Sequence, residues 1–251
     1  NRGFDARAAF GSHADSDHSY NTPRAWYMLK SLNPTTINWA KDYTPESDNL
    51  PWNLVPEHKI TVEDIKDILS SHYQGTVYDE YGKYGDSSNR GKYRPIGINR
   101  NNFLGLTQLR PYVSKEIMAV QWLAMGSNTF NAMVPFYTNV TVTPKYFSNT
   151  DGNAVTNNFY WANRLIGALA DAHFSTCASH IERYQLMTAS RSHEMLNEFD
   201  RQYPKKNVQK YLEECNQKTS DMIQELTQDT LNKVLYEASL GMKNAYSRSD
   251  A

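Results

Sequence analysis

The sequence predicts an α+β protein. Three observations carry this: short β-compatible runs between residues 93 and 142, helical periodicity from residue 157 onward, and an opening segment too rich in proline for either period. In the opening segment Pro23, Pro34, Pro45, Pro51 and Pro56 alternate with Trp26, Trp39 and Trp52, which reads as irregular chain laid over a core, with one short helix around 24–31. From Thr61 the texture changes. Thr61 followed by Asp64 is a capping pattern, and Val62, Ile65, Ile68, Leu69 and Tyr73 recur at helical spacing until Gly75. Residues 75–92, GTVYDEYGKYGDSSNRGK, hold no sustained apolar period and predict a long ordered loop, which in a compact domain is commonly functional or in contact with another part of the protein.

The runs YRPIGIN, NNFLGLTQL and KEIMAVQWLAMG, with Thr129 to Val142 beyond them, predict three to five strands. Phe159, Ala162, Leu165, Ile166, Leu169, Ala170 and His173 then trace one helix face, and Ile181, Tyr184, Met187, Met195, Leu196 and Phe199 a second. After the break at Pro204, Val208, Leu212, Cys215, Thr219, Met222 and Leu226 alternate spacings of four and three, the seam of an antiparallel hairpin, in a helix expected to run from Asn207 to about Arg248. The resulting division is a loop-rich and β part at 1–156 and a helical region at 157–251.

A chain of 251 residues can bury a sizeable core. With 26 Lys plus Arg against 27 Asp plus Glu, the balance does not favour a polyelectrolyte partner, so nucleic acid is not expected. No apolar run reaches the roughly 20 residues of a membrane span, and the first residues lack the apolar middle of a secretory signal. Two cysteines, Cys177 and Cys215, without a CxxC or His cluster, predict neither a disulfide framework nor a zinc site; a reducing, cytoplasmic compartment fits them. The 17 Tyr, 9 Phe and 5 Trp suit polar clefts or large internal interfaces. The chain opens on Asn-Arg-Gly without an initiator Met and runs at once into a Ser/Asp/His-dense loop, as expected of a fragment.

Several constellations invite chemistry and most have a simpler reading. His13, Asp15, Asp17 and His18 lie within six positions, but a calcium loop begun at Asp15 would need a bidentate Glu where Trp26 stands; capping and turn formation explain the cluster better. Ser12, His13 and Asp17 are too close in sequence to present a serine triad. Asp79, Glu80 and Asp86 have no fixed separation and read as a solvated loop rather than an acid–base pair. Cys177 and Cys215 fall on apolar helix patterns as core thiols, and His173 as a core histidine. Asn139-Val140-Thr141 matches a glycosylation acceptor, which carries no weight without secretion. Arg100, directly after Asn99, and Arg110 each follow an apolar run. At a strand end a guanidinium can hold a carboxylate or a developing oxyanion; a structural ion pair is the competing reading and on pattern alone the favoured one.

Five separated segments together resemble the dipeptidase A group of cysteine N-terminal-nucleophile (Ntn) hydrolases: FDARAAFGSHADSDHSYNTPRAWYM, GTVYDEYGKYG, YRPIGINRNNFLGLTQLRP, MVPFYTNV and FYWANRLIGALADAHFSTCASHIERYQ. The resemblance runs from residue 4 to about 185 and corresponds to the second half of such an enzyme. It implies part of an αββα sandwich with a helical C-terminal region, dipeptide substrates, and no metal or other cofactor. Members act through a cysteine exposed as the first residue of the mature chain, its thiolate attacking the peptide carbonyl and its α-amine serving as base. Asn1 stands first here, so the resemblance implies that the nucleophile lies on a missing N-terminal half, the principal partner expected; no membrane partner is implied.

Within the retained half the resemblance supports Arg100 and Asn99 on the active-site floor, with Arg110 as the alternative cation. Asp15, Asp17 and Arg24 in the early loop, and Asn139 as an amide donor, are expected to bind the substrate. Two other readings compete: a non-catalytic peptide- or sugar-binding module or scaffold whose C-terminal hairpin makes a homo-oligomer, and a related Ntn amide hydrolase acting on acyl-amino compounds.

Overall fold

A computed structural model describes residues 4–12, 14–83, 86–148 and 150–244. The fold is α+β, and the chain divides into two compact units, Asn1–Ile98 and Asn99–Ala251. The change from strands and loops to long helices near residue 157 lies inside the second unit.

Among the described residues the first unit has five short α-helices: α1 (Ala6–Phe10), α2 (Asp17–Tyr20), α3 (Thr22–Leu32), α4 (Trp39–Asp42) and α5 (Val62–Leu69). Pro23 sits in the first turn of α3, where its missing N–H costs nothing, and the helix ends at Asn33 just before Pro34. Trp26 and Tyr27 of α3 are buried with Trp39, Leu50, Tyr73 and Tyr93, so aromatic rings make this core. They meet edge to face, Tyr27 on Tyr73 at 5.5 Å and Trp26 on Tyr78 at 6.3 Å between centroids.

Both halves of the expected capping box open α5. The Asp64 amide donates to the Thr61 hydroxyl at 3.0 Å, and the Asp64 carboxylate accepts from the Thr61 amide at 2.8 Å. The helix stops at Leu69, short of the Gly75 its periodicity suggested. The Ser70 hydroxyl turns back onto the Lys66 carbonyl and the Ser71 hydroxyl accepts the Tyr73 amide, so serines compete for the backbone groups of the next turn. Tyr73 therefore leaves the helix in the left-handed region, at φ 65°, although its side chain is 1% exposed. YRPIGIN is not a strand. Pro95 cannot donate, and the amides of Arg94 and Gly97 donate to the carbonyls of Ser19 and Ser71 rather than to a ladder.

The second unit contains an antiparallel sheet of β1 (Phe103–Leu109), β2 (Ala119–Met125) and β3 (Val134–Tyr137), in the order β1-β2-β3. Leu106 faces Trp122 across the first pair and Val120 faces Tyr137 across the second. Alternation along β2 buries Val120, Trp122 and Ala124. Of the run Thr129 to Val142 the four residues of β3 form a strand. The resemblance implies two stacked sheets; the described residues supply this one.

Among the described residues the second unit also has four α-helices: α6 (Lys145–Ser148), α7 (Phe159–Ala172), α8 (Phe174–Arg201) and α9 (Val208–Leu240). Asn158 caps α7 by accepting the Trp161 amide at 2.9 Å. The long pair is antiparallel: the Tyr184 and Thr227 hydroxyls are 2.7 Å apart, while Tyr211, near the start of α9, donates to the carbonyl of Phe199, near the end of α8. Leu212, Cys215, Thr219 and Met222 are buried as the four-and-three spacing requires. The described helix stops at Leu240; the expected end near Arg248 lies outside the described residues. Val134 and Phe136 of the sheet join Phe147, Phe159, Tyr184 and Ile223 in one core.

Candidate functional site

Within the first unit, the turn into α2 and the start of α3 frame a cleft of about 210 Å3, lined by Ser12, Asp17, Asn21, Thr22, Ala25 and Asp48 among others. Asp17 organises it. One carboxylate oxygen accepts from the Ser12 hydroxyl and from the Ala14 amide at 3.2 Å, and the other from the Asn21 side chain at 2.5 Å. The second carboxylate, Asp48, lies 2.9 Å from Nε2 of His18, and this hydrogen bond raises the His18 pKa. Two carboxylates with no lysine or arginine in the lining suit a cationic group such as an ammonium.

Asp15 is exposed in the turn, where its backbone carbonyl accepts the His18 amide, and it does not line the cleft. His13 lies outside the described residues. Arg24 is half-buried on α3, its Nε donating to the Arg94 carbonyl at 3.3 Å. Burial, together with the positive charge of Arg94, lowers its pKa.

Asp79 is not the solvated loop residue its sequence suggested. It is buried 2.8 Å from Nδ1 of His72, and the same oxygen accepts the Tyr81 amide at 3.0 Å. Gly82 permits this closure, since a Cβ there would stand 2.9 Å from that of Asp79. Glu80 is exposed, and Asp86 caps the turn at Ser87–Asn89 through the Ser88 amide, so the three acids serve separate tasks. Close by in sequence, burial pulls Lys66 down to about 7, with its ammonium 2.6 Å from the Ser70 hydroxyl.

The remaining candidates belong to the second unit. Asn99 and Arg100 form an exposed turn ahead of β1; the Asn99 carbonyl accepts from Arg164 at 2.7 Å, and Arg100 makes no ion pair among the described residues. Arg100 thus precedes a strand rather than ending one. Arg110 follows the opposite end of β1, roughly 20 Å away along a seven-residue strand, so the two cations cannot attend one reacting atom. Arg110 is buried and committed, with Asp200 at 2.5 and 3.2 Å and the Ile117 carbonyl at 2.6 Å. Asn139 is exposed after β3, its amide 3.4 Å from the Glu116 carbonyl.

Both thiols are buried. Burial raises the pKa of Cys177 and pushes Cys215 up to about 11, which withholds the thiolate a nucleophile needs. Among the described residues no cluster of three His, Cys, Asp or Glu is placed to hold a metal, and no helix is long and apolar enough to cross a membrane. Sequence reasoning missed Asp48, Arg94 and the His72–Asp79 pair. Asp48 and Arg94 stand 31 and 70 positions from Asp17 and Arg24, and nothing in their local pattern marks them.

The sequence model of Peptidase family C69 matches residues 1–187. The chain belongs to that family. A dipeptidase of Bifidobacterium longum is 41% identical over 98% of this chain and 55% of its own length. A probable dipeptidase A of Streptococcus pyogenes is 47% identical over 98% of this chain and 52% of its own, and a dipeptidase A of Lactobacillus helveticus 37% identical over 94% and 49%. The chain thus spans about half the length of the curated relatives it matches.

Proposed function

We propose that the whole protein is a dipeptidase of the cysteine Ntn type, and that this chain is its C-terminal, substrate-holding portion. The observation that carries this reading is the placement of opposite charges on consecutive helices. Asp17 opens α2 at a carboxylate-lined cleft, and Arg24, half-buried in the first turn of α3, has no acidic partner among the described residues. A dipeptide is a short zwitterion, and its ammonium and carboxylate ask for this pair of environments. The names borne by the relatives point the same way.

Chemistry in this reading comes from a cysteine on a segment outside the present sequence, since Cys177 and Cys215 are buried in their protonated form. Arg100 and Asn99 serve as donors to the oxyanion and Asn139 as an amide contact, while Arg110 is held against Asp200 as a structural cation. Two free, buried thiols fit a cytoplasmic home. No metal or other cofactor is needed for the step. The test is release of free amino acids from a panel of dipeptides, by the full-length protein and by this chain alone. We expect turnover from the first and none from the second. An inactive full-length protein would overturn the assignment, as would activity of this chain abolished by replacing Cys177 or Cys215.

A further inference from the structure

Arg24 and Arg94 meet in the first unit without a counter-ion. Nε of Arg24 donates to the Arg94 carbonyl at 3.3 Å, and the Tyr73 hydroxyl donates to the same carbonyl at 2.9 Å. The Arg94 amide is tied to the Ser19 carbonyl at 3.0 Å, and its guanidinium lies over the Tyr20 ring, 5.1 Å from the centroid. Both arginines are half-buried, and neither pairs with an acid among the described residues. Four acids of this unit are engaged elsewhere: Asp48 with His18, Glu46 with Lys92 and Tyr93, Glu57 with Thr35 and Thr36, and Asp79 with His72.

Two like charges drawn partly out of water repel each other, and a folded chain keeps such a pair only at a cost. That repulsion is legible in Arg24, whose pKa falls through burial and the charge of Arg94. The backbone beneath is also held tightly, since Tyr73 contributes its hydrogen bond from a left-handed φ of 65°. A bound anion relieves the repulsion, and two guanidinium forks match the planar, bidentate shape of a carboxylate.

We propose that Arg24 and Arg94 together bind the free C-terminal carboxylate of the substrate, and that this contact restricts the enzyme to peptides ending one residue beyond the scissile bond. The assignment rests on the dipeptidase reading for its choice of ligand, but the anion site can be tested without it. An internal peptide linkage or a C-terminal amide would leave both cations unpaired, so selectivity would come from the cost of the wrong substrate as much as from affinity for the right one.

The first measurement is binding to this chain, using N-acetylalanine as a single-carboxylate probe, N-acetylalanine amide as its uncharged control and inorganic phosphate as the rival anion. N-acetylalanine should raise the thermal midpoint and its amide should not. Arg94→Gln should weaken that binding about 10- to 100-fold, the value of a lost charge-assisted hydrogen bond, while Arg94→Lys should retain part of it. Circular dichroism of each variant checks that it folds. The second measurement compares a dipeptide with its C-terminal amide on the full-length protein, where Arg94→Gln should raise KM for the free acid and erase its preference over the amide. Failure of the full-length protein to cleave dipeptides sinks the dipeptidase reading, and the binding experiment then decides the anion site alone. Phosphate bound as tightly as N-acetylalanine, or N-acetylalanine binding unchanged in Arg94→Gln, overturns the proposal.

Discussion

The side chain of Asn216 bonds both backbone groups of one residue: its Oδ1 accepts the Tyr137 amide at 2.9 Å and its Nδ2 donates to the Tyr137 carbonyl at 3.0 Å. Tyr137 closes β3, an outer strand of the sheet, so an asparagine from α9 supplies the two bonds that a further strand would. This lets a long helix pack against a sheet edge without stranding buried backbone groups.

Asn216→Leu should therefore destabilise the chain by about 2 to 4 kcal/mol, because two buried backbone groups lose their partners while the volume is nearly kept. Urea unfolding measures this, and amide exchange at Tyr137 should quicken in the same variant. Gln217→Ala, one exposed position further along α9, should stay within about 0.5 kcal/mol. Equal effects at the two positions would show that the Asn216 bridge contributes nothing.

What was legible in the sequence is what is local. Thr61 and Asp64 cap α5 because the box spans four residues, and α7 to α9 follow their periodicity because one apolar face sufficed to bury them. YRPIGIN misled because its short apolar alternation looks like a strand, whereas its amides are satisfied by Ser19 and Ser71, partners no window around residue 95 contains. The site is harder still. Arg24 and Asp17 could be suspected from their early polar loop, but the charges that give them meaning, Arg94 and Asp48, arrive through packing of the aromatic core. Backbone strain at Tyr73 had no sequence sign either, since glycine and asparagine are the usual residues at such a φ.

Glu57 offers a pH test of the first unit. Its carboxylate accepts from the hydroxyls and amides of Thr36 and Thr35 at 2.5 to 2.8 Å, and these bonds, that from the Thr36 side chain foremost, hold its pKa at about 2 against an ordinary 4.5. A depressed folded-state pKa means that the unfolded chain takes up its proton first. The stabilising contribution is thus present above pH 4.5 and disappears as pH falls from there toward 2. Glu57→Gln should be less stable than the natural chain at pH 6, with the gap closing on acidification. The carboxylate is exposed, so salt should shrink the gap. A difference independent of pH between 2 and 6 would contradict this account.

Arg110 and Arg100 differ in burial and partners, and lysine substitution tells their roles apart. Arg110 is buried against Asp200, which also accepts the Tyr137 hydroxyl at 2.7 Å, so removing the guanidinium leaves a carboxylate among groups that cannot replace it. Arg110→Ala should cost about 3 to 5 kcal/mol, as breaking one side of a buried pair does. Arg110→Lys should also lower the thermal midpoint, since an ammonium cannot reach both Asp200 oxygens and the Ile117 carbonyl from one planar fork. Arg100 is exposed in the turn before β1 and ion-paired with nothing described, so Arg100→Lys should leave stability within about 0.5 kcal/mol. If its fork donates to the oxyanion in the full-length enzyme, the same change should lower turnover by about 10² to 10³, the usual loss for one such donor. Thermal midpoint and dipeptide turnover, measured together on both lysine variants, decide the matter. Turnover lost only in Arg110→Lys, at an unaltered midpoint, would move the role to Arg110; full turnover in both would make the two arginines structural and leave the oxyanion to other donors.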